Sequence, residues 1–174
     1  MCWFITLAVN GEAAEKVRIS AHTHSSVNVA ESSGTTACAL FKPEMAKFLI
    51  TMGGCSCSLF HEIRTAKLDS EKKRAQLRRK GWSEAKIERA LAESCEANKR
   101  NAEARDAARD VQARRFREFV VSVFDEGAEV QVYCHSYQGS VVSEQLTRPV
   151  HLRVTRAQFL ASGFPAESVV SVAG

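Results

Sequence analysis

Two cysteines separated by one residue follow a pair of glycines in Gly53-Gly54-Cys55-Ser56-Cys57. On a strand, residues i and i+2 project to the same face, so both sulfurs can reach one ion. Thiolates select zinc or iron–sulfur chemistry, and a closed zinc site takes four nitrogen or sulfur ligands in a tetrahedron. Cys2 is a candidate third ligand and Cys134 or His135 a candidate fourth. Those last two are adjacent on an alternating segment and face opposite ways, so only one can join. The competing reading is a tight core in which small cysteines pack beside glycines. Cys38 and Cys95 read as packing residues.

Cys2 has a second possible use. Removal of the initiating Met leaves an α-amine with an ordinary pKa of roughly 7.7–8.0, which can act as base for its own thiol. That is the logic of an N-terminal-cysteine hydrolase or amidotransferase. His135 and Tyr137, in His135-Ser136-Tyr137-Gln138-Gly139, share one strand face and could supply an acid–base pair or orient a bound group. His22-Thr23-His24 could hold a metal if extended, but lies in a Ser/Thr-rich stretch that reads as solvated loop.

A different chemistry is written in Lys72-Lys73-Arg74 and Arg78-Arg79-Lys80, six cations within nine residues. Residues 61–118 hold 17 Lys/Arg against 11 Asp/Glu, and the rest of the chain holds 7 against 9. Such a segment can contact phosphates or an acidic protein partner, with binding that weakens as salt is added. The alternative is a solvated helix face, since no aromatic stacking platform accompanies the run.

The elements that must position these residues follow from periodicity. Residues 3–9 are β-branched and aromatic, and Asn10-Gly11 closes them as a first strand. Short strands are expected at 17–20 and 27–29. Lys42-Pro43-Glu44 with Met45, Phe48 and Leu49 predicts a short helix, and 54–60 alternates as a strand. A basic helix is expected from Asp69 or Ser70 to Lys80, stopped by Gly81. Ser83 caps the next, with Trp82 and Ile87 at hydrophobic-staple spacing. Its apolar stripe thins between 98 and 109 and returns at Val111, Phe116, Phe119, Val120 and Val123, so either one long helix or a helical hairpin fits. Residues 129–137 alternate again, with Val130, Val132 and Cys134 on one face and Tyr133, His135 and Tyr137 on the other. A strand at 149–155, a helix at 156–162 ended by Gly163 and a strand at 169–172 complete the chain.

The fold class expected is α+β: a mostly antiparallel sheet with a charged helical insertion, 61–127, between its strands, in one domain over 1–174. At 174 residues, 45% hydrophobic and 25% charged, the composition excludes collagenous and disordered classes. Residues 1–9 have no charge ahead of an apolar stretch, and the longest other uncharged apolar stretch, 48–60, is too short to span a bilayer. A cytoplasmic location, away from membranes and with reduced thiols, is therefore expected.

The Met-Cys-aromatic-Phe-Ile-Thr start, the Cys55-x-Cys57-x-Leu59 segment, the helix start Lys80-Gly-Trp-Ser-Glu-Ala-Lys-Ile-Glu-Arg-Ala-Leu91 and the late His135-x-Tyr137-x-Gly139 together resemble a group of small uncharacterised bacterial proteins. The resemblance implies a shared fold and a bacterial or phage origin, and supplies no mechanism. It also implies that Cys2, Cys55, Cys57 and His135 form one constellation, with Cys134 outside it. Three thiolates and one imidazole would close a structural zinc site.

Overall fold

The computed structural model describes residues 2–24, 26–52, 56–60 and 67–174, with the backbone alone described at 58, 60 and 67–70. By its contacts the chain divides into two compact units, 1–60 with 110–174, and 61–109.

The first unit is built on a six-stranded sheet. Strands β1 (Cys2–Asn10), β2 (Asn28–Glu31), β3 (Met45–Thr51), β4 (Val130–Tyr137), β5 (Val150–Thr155) and β6 (Ser168–Ala173) lie in the order β2-β3-β1-β4-β6-β5. Every pairing is antiparallel except β5 with β6. β1 is central because both of its faces are apolar or small: Ile5, Thr6, Leu7, Ala8 and Val9 are all buried.

One face of the sheet presents Ile5, Leu7, Phe48, Ile50, Val132, Cys134 and Val170 to a core completed by three helices. These are α1 (Ala14–Thr23) through Val17, the C-terminal part of α4 (Glu84–Asp125) through Phe116, Phe119, Val120 and Val123, and α5 (Arg156–Ser162) through Phe159. The opposite face presents Ala8, Met45, Tyr133 and Val169 to a smaller cluster made by Ala37 and Phe41. Ala37 lies on a 3-10 turn, Thr36–Leu40.

The second unit contains α3 (Lys67–Arg79) and the N-terminal part of α4. Gly81, at φ 77, takes the left-handed conformation that ends α3 and lets the chain reverse. Arg74 pairs with Glu84 and Glu88, Arg78 with Glu84, and Lys73 donates to Ser94 Oγ at 2.7 Å, so the two helices run side by side.

The expected α+β class and mostly antiparallel sheet are present, and the helical stretch between β3 and β4 resolves into one continuous 42-residue α4 rather than a hairpin within 83–126. Three expectations are corrected. Residues 17–20 are helical: Val17 and Ser20, three apart, are buried while Ile19 is 57% exposed. Residues 45–51 are a strand, because burial follows Phe48, Ile50 and Met52 at period two rather than the helical spacing of Met45, Phe48 and Leu49. The expected strand 54–60 is instead a helical turn, α2 (Cys57–Phe60), with residues 53–55 outside the described set. Ser56 starts that turn, donating its N–H to Trp3 O at 2.9 Å and its hydroxyl to Ile50 O at 3.1 Å.

Candidate functional site

The densest polar network in the sheet unit is centred on His135. Alternation along β4 sends Cys134 into the core and puts Tyr133, His135 and Tyr137 on the other face, as the period-two pattern requires. The imidazole meets both tyrosine rings: Tyr133 and His135 are stacked at 6.1 Å, and Tyr137 meets the imidazole edge-on at 4.5 Å. Two carboxylates approach the ring from opposite sides. Glu167 Oε2 lies 2.6 Å from Nδ1 and Glu144 Oε1 lies 3.1 Å from Nε2.

Each carboxylate is itself held. Glu167 accepts the Tyr133 hydroxyl at 3.0 Å, and its own N–H donates to Cys134 O at 2.9 Å. Its φ of 60 is the one left-handed non-glycine backbone among the described residues, a conformation that costs about 1 kcal/mol and persists only when side-chain contacts fix it. Glu144 Oε2 accepts the N–H groups of Gln138 and Gly139 at 2.9 and 3.0 Å. Those donors, the Gly139 N–H first and then the His135 ring, hold the Glu144 carboxyl below the usual range. Burial, reinforced by the Glu167 charge, pushes the Tyr133 phenol well up, and burial also raises Tyr137, whose hydroxyl meets Thr36 and the backbone of Ala37.

Both ring nitrogens of His135 are thus engaged by carboxylates, Nδ1 by Glu167 and Nε2 by Glu144. The network ties the segment after β4, through Glu144, and the turn before β6, through Glu167, onto the sheet. Neither acid was singled out in the sequence, because they stand nine and 32 residues from His135 with no local spacing to mark them.

The expected metal ligands are placed as follows. Cys2 is exposed at the start of β1, opposite Tyr137. Cys57 is half-buried in α2, and its sulfur accepts the Trp3 N–H at 3.3 Å. His135 is held between its two glutamates, and Cys55 lies outside the described residues. Among the described residues no three His, Cys, Asp or Glu side chains are disposed to hold a metal ion. Cys134 is fully buried, which raises its thiol well above the ordinary value. Cys38 is half-buried among the hydroxyls of Ser32 and Thr35, whereas Cys95 is exposed on α4. His22 is exposed, and the His24 ring stands edge-on to Phe119 at 5.9 Å.

In the helical unit the six cations divide by role. Lys73, Arg74 and Arg78 are engaged across the hairpin, and Arg78 holds the Glu84 carboxyl below its usual range. Lys86 sits 4.2 Å over the Trp82 ring, and Ile87 is fully buried beneath this turn. Lys72, Arg79 and Lys80 are exposed and have no partner among the described residues. Lys72 and Arg79 are seven residues apart, which is two turns, and so lie on one face. No described helix is long and apolar enough to cross a membrane. Comparison with family models, with curated proteins and with solved structures gives no match for this chain.

Proposed function

We propose that the protein is a cytoplasmic interaction module whose helical unit binds a polyanion, with nucleic-acid phosphates as the ligand. The observation that supports this most directly is the division of labour along α3. Arg74 and Arg78 are consumed in cross-hairpin ion pairs, while Lys72, Arg79 and Lys80 remain exposed with no acid against them among the described residues. Cations that only kept a helix soluble would gain from neighbouring acids; a row without them is organised for an external anion.

The test is fluorescence anisotropy with a labelled RNA oligonucleotide and a labelled DNA duplex. Three phosphate contacts imply that affinity falls about 40-fold between 50 and 200 mM salt. Reversing Lys72, Arg79 and Lys80 to Glu together should abolish binding, whereas Arg74→Ala should leave the salt slope unchanged. No binding to either probe at 50 mM salt refutes the proposal.

A further inference from the structure

The sheet has two edges, and they are finished differently. β2 is four residues long, and Glu31 at its end is paired with Arg18 of α1. β5 is six residues long and is bonded on one side only, to β6, in register from Val150↔Ser168 to Thr155↔Ala173. Among the described residues its other side has no backbone partner. Leu152 and Val154 pack on the core, so alternation turns His151 and Arg153 to the opposite face, where both are exposed. Val150 is 63% exposed at the head of the strand.

Between Glu144 and Glu167 the only formal charges on the chain are those of arginines. Residues 145–166 contain Arg148, His151, Arg153 and Arg156 and no Asp or Glu. Arg156 is taken by Asp125, at 2.8 to 3.2 Å. Arg148, His151 and Arg153 have no partner among the described residues. An open row of backbone donors and acceptors is a template for a further strand, and charges along it decide which strand is admitted. A second copy of this chain pairing edge to edge would bring the arginines of two copies together. An acidic strand would meet them with opposite charge on one face and could lay apolar residues beside Val150 and Leu152 on the other.

We propose that β5 is a docking edge for an extended acidic segment of a partner protein, which adds to the sheet as a seventh strand. This site uses residues other than those of the polyanion surface on α3, and backbone pairing that a phosphate chain cannot supply.

The test uses the full chain and two labelled peptides, Asp-Val-Glu-Val-Asp-Val-Glu and its Lys-Val-Lys-Val-Lys-Val-Lys counterpart. The acidic peptide should bind and the basic one should not. Binding should slow amide exchange in 150–155 without slowing it in β2. Arg148→Glu with Arg153→Glu should weaken the acidic peptide by about tenfold or more and confer binding of the basic one, with an unchanged circular dichroism spectrum. The triple reversal of Lys72, Arg79 and Lys80 should leave peptide binding intact, so failure here and failure of the polyanion reading are distinguishable. Equal binding of both peptides, no binding of either, protection outside β5 or self-association through this edge overturns the proposal. So does loss of nucleic-acid binding in the Arg148/Arg153 variant without any peptide binding.

Discussion

The two units are stabilised by different physics. In the sheet unit, side chains are buried on both faces of the sheet and along one stripe of each of three helices, with Phe48, Phe116, Phe119 and Phe159 among the largest. In the helical unit, Ile87 is the sole fully buried apolar side chain among the described residues, and the helices are otherwise joined by exposed ion pairs and one cation–π contact. Burial gives large, salt-insensitive contributions. Exposed pairs contribute from nothing to about 1 kcal/mol each and are screened. The first unit is therefore a fixed scaffold. The second is held largely by contacts that salt can screen.

The sharpest test of that contrast is Phe119→Ala, which should cost about 3–5 kcal/mol in urea unfolding of the sheet unit. Next is Ile87→Ala, worth about 2–5 kcal/mol of side-chain burial but confined to the helical unit. Amide exchange should collapse in α3 while β1 and β4 keep their protection. Loss of protection in both regions would show that the units are one cooperative body.

His135→Gln should cost about 1–3 kcal/mol, since one amide group cannot reach Glu144 and Glu167, which meet the ring at its two separate nitrogens, and one contact is lost. Limited proteolysis should then cut between residues 138 and 149. If that segment stays as resistant as in the unaltered protein, the clamp is dispensable.

The chain's two tyrosines, Tyr133 and Tyr137, both have phenols raised by burial. A raised phenol favours the fold fully below the ordinary value of about 10, and that advantage is lost as pH climbs from there toward the folded value. Absorbance at 295 nm should show no tyrosinate near pH 10, then a single step coincident with unfolding. Ionisation in the folded state near pH 10 would place the rings in water. At the acid end the signs reverse: the lowered carboxyls of Glu144 and Asp125 add stability above the ordinary carboxylate range, lost as pH falls through their depressed values.

The smallest effect expected is Arg74→Ala, under about 1 kcal/mol, and 0.5 M salt should produce a similar loss in the unaltered protein by screening the same pairs. A larger cost would mean that ion pairs, and not Ile87, hold the hairpin.

The elements readable in advance are those with a strong period and a clear stop. β1 falls where its β-branched and aromatic run stops at Asn10-Gly11, β4 where alternation places it, and α5 ends at the Gly163 turn. Val17 and Met45 misled because each sits in a stretch that fits two periods. Only the arrival of α4 and α5 on the core face decides which residues are covered. The candidate site was half legible: Tyr133, His135 and Tyr137 share a face by alternation alone. The acids that define their chemistry come from a loop and from a turn with left-handed backbone at Glu167.

The sequence by itself determined the α+β class, the facing of β4, the helix ends at Gly81, Gly127 and Gly163, and the concentration of cations on α3. All of these are properties of neighbours a few residues apart. The tertiary structure alone decided that Cys57 belongs to a helical turn against Trp3, that α4 is continuous, that His135 lies between two glutamates, and that β5 is a sheet edge. Each of these depends on which distant segment reaches a given surface, and on whether its polar groups find partners once there.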